Sequence, residues 1–151
     1  MNLCKLSKSH VSLAALGNWR AGAERAASSE SKPRSLRRWM KVLGVRRPVR
    51  ASEPLFLPGD CTRYWFFLEA GCLRVFAPGA EGRGSPASVI GPGTFFCFGS
   101  GGRHELVCKA MEASTVICLD RRHLESQARN DHALQQLLKE AARWELGLSL
   151  R

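Results

Sequence analysis

From Leu55 onward, glycine and proline divide the chain into short apolar runs at intervals of about eight to twelve residues, a spacing typical of all-β sandwiches and barrels. Most runs are roughly four to eight residues long, which suits a strand and is too short for most helices. The predicted strands comprise residues 55–57, 64–69, 72–77, 87–90, 95–98, 106–110 and 115–119. The sequence therefore predicts a mainly β fold that closes into a compact roll.

Two of the predicted strands, at residues 64–69 and 72–77, are separated only by Ala70 and Gly71. Glycine readily adopts the positive φ angles that tight hairpin turns require. We therefore expect these two strands to pair as neighbours in one sheet.

The formal net charge of +10 arises entirely in the first third of the chain. Residues 1–50 hold 12 Lys and Arg side chains against Glu24 and Glu30, whereas the rest of the chain is formally neutral. Residues 1–34 contain few large apolar side chains and are predicted to be a disordered basic leader. This segment has no acidic residue before Glu24, and in that respect its composition resembles an organelle transit peptide. An extended or non-native N-terminus is the preferred interpretation.

Residues 35–50 are predicted to form a short basic amphipathic helix or a linker. Apolar residues recur there at helical spacing, namely Leu36, Trp39, Met40 and Leu43. The intervening side chains include Arg37, Arg38 and Lys41. Two interpretations remain: a surface that contacts phosphates or another anionic partner, and the solvated face of a helix that lies on the core. The second is preferred.

The cysteines form no C-x-x-C pair, so neither zinc nor an iron–sulfur cluster is indicated. They are Cys4, Cys61, Cys72, Cys97, Cys108 and Cys118. Four of them fall within predicted strands, where a free cysteine packs as a small apolar residue. Regulation by oxidation of a single exposed cysteine is an alternative that the sequence leaves open. This pattern fits a reducing cytosol and predicts a cytoplasmic protein without a cofactor.

A second predicted helix begins after Asp131, a suitable N-cap residue, and runs to about residue 148. Its apolar residues recur at steps of three and four, namely Leu134, Leu137, Leu138, Ala141, Trp144 and Leu148. These residues form one apolar stripe. The stripe either forms a dimer interface or packs back on the roll of its own chain, and dimerisation is the preferred interpretation.

Four landmarks occur in order and together resemble the cyclic-nucleotide-binding-like domain of Crp/Fnr regulators over about residues 52–150. Residues 55–60 read apolar-x-apolar-Pro-Gly-Asp, and residues 64–75 combine an aromatic-rich strand, a glycine and Leu-Arg-Val. Residues 91–96 read Gly-Pro-Gly-Thr-Phe-Phe, and residues 115–129 combine a strand, Leu-Asp-Arg and a short helix. Each landmark is weak alone, and the ordered set is more specific.

The resemblance implies a double-stranded β-helix, or jelly roll, that ends in a C-terminal dimerisation helix. Residues 51–130 would be the sensor roll of a homodimer, and residues 131–151 would be the dimer helix, truncated before the DNA-binding domain. Family members continue into a helix-turn-helix domain, which is expected to be absent because the sequence ends at Arg151. DNA would then be bound only through that absent domain, although the basic leader could contact nucleic acid without sequence specificity.

In family members that bind cyclic AMP, a Gly-Glu pair holds the ribose and an Arg-Ser or Arg-Thr pair holds the phosphate. The resemblance aligns Cys97 and Phe98 with the first pair and His104 and Glu105 with the second. A buried Glu105 would repel a phosphate by roughly a few kcal/mol at an effective dielectric near 20. Cyclic AMP binding is therefore not expected. The amino-acid pattern of residues 98–105 resembles that of the FixK-like branch, whose members lack the nucleotide-binding residues.

A shift of one residue in this alignment would instead make Arg103 an anion site, because the glycine-rich loop before it leaves the register open. The candidate residues of an effector pocket are Phe96, Phe98, Arg103, His104 and Glu105.

Three alternative functions differ in the residues that they require. The oxygen sensors of the Fnr branch need several N-terminal cysteines, and only Cys4 precedes the roll. A cupin-like metal enzyme needs several converging histidines, but the chain has no His-x-His pair among His10, His104, His123 and His132. No enzymatic activity is therefore expected. A standalone interaction module with a basic arm that contacts nucleic acid or an acidic partner remains the main alternative function. No apolar stretch of the sequence approaches the roughly 18 residues that a membrane span needs, so no contact with a membrane is expected.

Overall fold

The computed structural model describes residues 34–79, 88–99 and 102–149. The predicted leader, apart from Arg34, and residues 80–87 lie outside the described residues. The elements in chain order are α1 (Arg34–Leu43), β1 (Val45–Val49), β2 (Pro54–Phe56), β3 (Tyr64–Ala70), β4 (Leu73–Phe76), β5 (Ser88–Ile90), β6 (Phe95–Phe96), β7 (Val107–Ala110), β8 (Ser114–Asp120), α2 (Arg121–Ala128) and α3 (His132–Ser149).

The strands form two four-stranded antiparallel sheets. Sheet 1 has the order β1-β8-β3-β6, and sheet 2 has the order β2-β7-β4-β5. One buried cluster draws side chains from both sheets, including Phe66 and Val116 from sheet 1 and Leu73 and Cys108 from sheet 2. The mainly β, jelly-roll prediction is confirmed, with helices beside the sheets and at the C-terminal end.

The prediction that the strands on either side of Gly71 pair with each other was wrong. Strand β3 pairs with β6 and β8, whereas β4 pairs with β5 and β7 in the other sheet. Gly71 does adopt a positive φ of 98°, as expected. The turn at Gly71 carries the chain from sheet 1 to sheet 2. Each of the two strands pairs with strands distant in sequence, because that pairing buries the apolar side chains of β3 and β4.

Residues 35–50 contain more than the predicted helix or linker. Helix α1 ends at Leu43, and β1 then pairs with β8 from Val45 opposite Cys118 to Val49 opposite Ser114. Sequence patterns concealed this strand because Pro48 lies within it, and proline lacks a ladder donor. Strand β1 lies at an edge of sheet 1, where proline is tolerated. Sheet 1 thus begins earlier than residue 51.

The helices cover the outer face of sheet 1. A second buried cluster joins strand residues such as Trp65 and Leu119 to Leu36 of α1, Leu124 of α2 and Leu134 of α3. Strand β3 is therefore buried on both faces, which explains its nearly continuous apolar sequence. In the part of the chain that the structure describes, no helix is long and apolar enough to cross a membrane.

Candidate functional site

The candidate effector-pocket residues divide into a buried and an exposed set. Phe96, Phe98 and His104 are buried, with 0%, 8% and 3% of their surfaces exposed. Arg103 and Glu105 are exposed. In the loop that follows β6, of which residues 97–99 and 102–106 are described, the rings of Phe98 and His104 thus face inward, and the charged side chains of Arg103 and Glu105 face solvent.

His104 fastens the far end of this loop to the roll. Its ring stacks on Phe56 with centroids 3.8 Å apart and an interplanar angle of 7°. Its Nδ1 lies 3.1 Å from the carbonyl oxygen of Phe98. A carbonyl only accepts, so Nδ1 carries the proton and donates it. Burial lowers the pKa of His104, and the hydrogen bond to Phe98 opposes that effect.

The lowered pKa of His104 predicts a loss of stability in mild acid. The unfolded chain binds a proton at the ordinary histidine pKa of about 6.5 more readily than the folded chain does. The stabilisation is therefore complete above that pH and is lost as the pH falls toward the lower folded-state pKa. Thermal unfolding at pH values on either side of 6.5 should show this drop, and His104→Asn and His104→Phe should both reduce it.

The histidine assignment would be contradicted if both variants kept the full wild-type difference in melting temperature between the two pH values. His104→Phe retains a ring beside Phe56 and lacks a titrating group. It therefore separates the stacking contribution from protonation.

Glu105 lies in a different environment from the one predicted from the sequence. Repulsion of a phosphate requires a buried carboxylate, whereas Glu105 is exposed and is screened by water. Arg103 is also exposed, and its guanidinium donates to the carbonyl oxygen of Gly59 at 2.7 Å. Glu105 therefore gives no reason to exclude a phosphate.

A residue that sequence reasoning missed reaches this loop from the terminal helix. The carboxylate of Glu145 accepts a hydrogen bond from the backbone N–H of Cys97 at 2.5 Å and another from that of Phe98. Burial raises the pKa of Glu145, while these two hydrogen bonds and Arg121 act in the opposite direction. A signal was present in the sequence: Glu145 lies four residues after Ala141 and interrupts the apolar stripe with a charge.

Arg121, the first residue of α2, holds the same loop from another side. Its guanidinium donates to the carbonyl oxygen of Gly99 and, at 2.8 Å, to Oγ1 of Thr62. Its Nε also donates to Glu125 at 2.9 Å. The loop after β6 is therefore tied to both helices that follow the roll.

The cysteines near the site are packing residues. Burial raises the pKa of Cys97 and of Cys72 to about 12, and it also raises the pKa of Cys108 and Cys118. Such thiols stay protonated near neutral pH and are poor nucleophiles and metal ligands. Within residues 34–79, 88–99 and 102–149, no three His, Cys, Asp or Glu side chains are grouped so that they could hold a metal ion.

The predicted apolar stripe of α3 packs largely on its own chain. Leu134 and Ala141 are buried there, and Leu137 and Leu138 pack partly against the same cluster. The side chain of Leu148 lies outside the described residues. The helix begins as expected, because the Asp131 carboxylate accepts from the backbone N–H of Leu134 at 3.0 Å. Packing onto the chain's own roll, one of the two interpretations, therefore accounts for most of the stripe.

The end of α3 is less covered. Trp144 is 38% exposed and Leu146 is 62% exposed, although the Trp144 ring also contacts Phe98 with centroids 5.7 Å apart. This part of the helix thus contacts the loop on one side and leaves apolar surface on another.

Two antiparallel sheets around one core, with a terminal helix against the loop after β6, form a β-roll. Residues 46–131, more than half of the chain, match the cyclic nucleotide-binding domain family. The chain belongs to this family. Its sequence matches no curated protein at a significant level.

Solved structures with the same fold include FixK2 from Bradyrhizobium japonicum, with 22% identity and a TM-score of 0.61 over 70% of this chain and 54% of that one. The catabolite activator protein of Thermus thermophilus has 21% identity and a TM-score of 0.57, covering 83% of this chain and 62% of that one. The heme domain of CooA from Carboxydothermus hydrogenoformans has 17% identity and a TM-score of 0.56, covering 72% and 77%. This chain thus spans 54% of the length of FixK2.

Proposed function

We propose that this chain is the regulatory and dimerisation domain of a Crp/Fnr-type transcription regulator of the FixK-like branch, and that it does not bind cyclic AMP. The observation that carries the proposal is the loop after β6. The resemblance aligns Phe98 with the family's ribose-binding glutamate, and Glu145 of the terminal helix binds the backbone of this loop. DNA binding is proposed only through a further domain.

The surroundings of Phe98 argue against a nucleotide in this position. Its ring lies with Phe96 and Trp144, at centroid distances of 5.9 and 5.7 Å. An aromatic ring cannot accept a hydrogen bond from the 2′-hydroxyl of a ribose as a carboxylate does. A buried hydroxyl left unpaired costs about 1–3 kcal/mol. The site therefore favours an effector other than a cyclic nucleotide, or none.

Cyclic AMP should give no saturable heat in titration calorimetry with this protein at micromolar concentration. The physical reason is the missing carboxylate at Phe98 together with the aromatic packing around it. Heat that saturates with one nucleotide per chain would contradict this part of the proposal.

Dimerisation through α3 is supported by its exposed apolar end, Trp144 and Leu146. An apolar surface of this kind on a helix end is suited to a twin helix from a second copy. The relatives FixK2 and the catabolite activator protein have the same fold. In this proposal the state of the loop after β6 is passed along α3 to the further domain.

Light scattering with and without residues 1–33 tests dimerisation. This truncation leaves α1 intact, whose Leu36 is buried in the core. A dimer should form in both proteins and should become a monomer in Leu146→Glu, while the matched variant Leu57→Glu, also at an exposed leucine, should remain a dimer. A monomer at every concentration would contradict the proposal. A dimer that requires residues 1–33 would favour the rival, an interaction module whose basic arm contacts nucleic acid or an acidic partner.

A further inference from the structure

The backbone of Cys97 and Phe98 forms a small site for an anion. Phe98 adopts a φ of 53°, in the left-handed region that non-glycine residues rarely enter. Two consecutive backbone N–H groups converge there on a single carboxylate. Successive N–H groups in such a conformation form concave sites that bind anions.

The group in this site belongs to the chain itself. Glu145 reaches the amide pair across 48 residues of sequence, from the last turns of α3. A carboxylate withdrawn from water is costly unless donors compensate it, and the two N–H groups supply that compensation. The neighbouring contact of Phe98 with Trp144 also joins α3 to the loop.

Hydrogen bonds to groups other than Glu145 also hold the described residues of the loop. Arg121 binds Gly99 and Thr62, and His104 binds the carbonyl of Phe98. Release of Glu145 would therefore free the end of α3 without dismantling the loop. The N–H pair would then be left to solvent or to another anion.

We propose that Glu145 is a latch whose carboxylate occupies the amide pair of Cys97 and Phe98 and holds the end of α3 on the loop until an effector with a carboxylate group replaces it. This inference rests on the proposed regulatory function of the domain. It adds to that function the chemical class of the effector and the contact that the effector must break.

The amide pair limits which ligands could open the latch. Both groups are donors, so a ligand must supply acceptor oxygens, and an apolar or cationic ligand would leave them unsatisfied. A carboxylate reproduces the group that is already there. Because Glu145 is tethered, a free carboxylate competes against an effective concentration of roughly millimolar or above.

Chemical rescue of a Glu145→Ala variant tests the latch in the full chain. Hydrogen exchange at the amides of Cys97 and Phe98, followed by NMR, should quicken about tenfold or more when the charge-assisted hydrogen bonds are lost. Sodium acetate should then shift these two amide resonances saturably and slow their exchange, whereas sodium chloride at equal ionic strength should not. The indole resonance of Trp144, assigned with Trp144→Phe, should move with the release of the helix end.

The matched control is Glu140→Ala, which removes an exposed carboxylate from the same helix and should leave both amides protected. Glu145→Gln serves if the alanine variant fails to fold, and it should quicken exchange to a lesser degree. Equal protection of the two amides in the Glu145 variants and the control would contradict the proposal that Glu145 is a latch. Rescue by chloride as well as acetate would contradict the proposal that the effector carries a carboxylate group. Neither result would alter the oligomeric state or the cyclic AMP titration, on which the proposed function is tested.

Discussion

Gly71→Ala should lower the free energy of unfolding by roughly 2–5 kcal/mol. This range is the sum of about 1–3 kcal/mol for overpacking and about 1–2 kcal/mol for placing a non-glycine residue in the left-handed backbone region. Gly71 has a φ of 98°, and a Cβ built there would lie 2.1 Å from Oγ of Ser114 and 2.6 Å from its Cα. The contact includes backbone, so it cannot be relieved by a side-chain rotation. Chemical denaturation monitored by circular dichroism measures the loss.

Gly59→Ala is the matched control, because Gly59 has a similar φ of 91° and a Cβ added to it would meet no neighbouring atom within 4 Å. It should cost only the backbone part, about 1–2 kcal/mol. Equal losses in the two variants would mean that the crossing between the sheets at Gly71 is not tightly packed against Ser114.

Leu134→Ala should lower the free energy of unfolding by about 2–5 kcal/mol, the range for removing a buried leucine side chain. Leu134 is fully buried in its own chain, in the cluster that α3 shares with sheet 1. The loss should therefore be independent of protein concentration. Thermal unfolding at several concentrations measures it, since a residue buried only between subunits would show a concentration-dependent effect.

Leu57→Ala provides the comparison, because Leu57 is 41% exposed and lies outside both buried clusters. Its cost should stay within about 0.5 kcal/mol. If Leu134→Ala were equally mild, the packing of α3 against the roll would be refuted.

Much of the roll could be predicted from local sequence. Every predicted strand corresponds to a strand of the structure, although several are shorter than their apolar runs, and the N-cap at Asp131 is present. Local signals sufficed because burial and glycine-rich turns act within a few residues. Strand β1 was missed because it contains Pro48 and two arginines, which interrupt the apolar pattern that marks a strand in the sequence.

The candidate site was predicted only in part. Phe98 and His104 lie together, joined by a hydrogen bond, while Glu105 points to solvent. Glu145 was absent from the candidates although its carboxylate binds the loop backbone directly. A spacing of 48 residues carries no periodic signal, so only the packing of α3 could bring these groups together.

The sequence by itself determined where the strands and helices other than β1 form, because propensity, turn chemistry and apolar periodicity are properties of neighbouring residues. Tertiary structure alone decided that the chain changes sheets at Gly71 and that α3 covers its own roll. It also decided that a carboxylate meets two amide groups at Cys97 and Phe98. Those outcomes depend on which distant surfaces bury each other, and burial is a property of the whole chain.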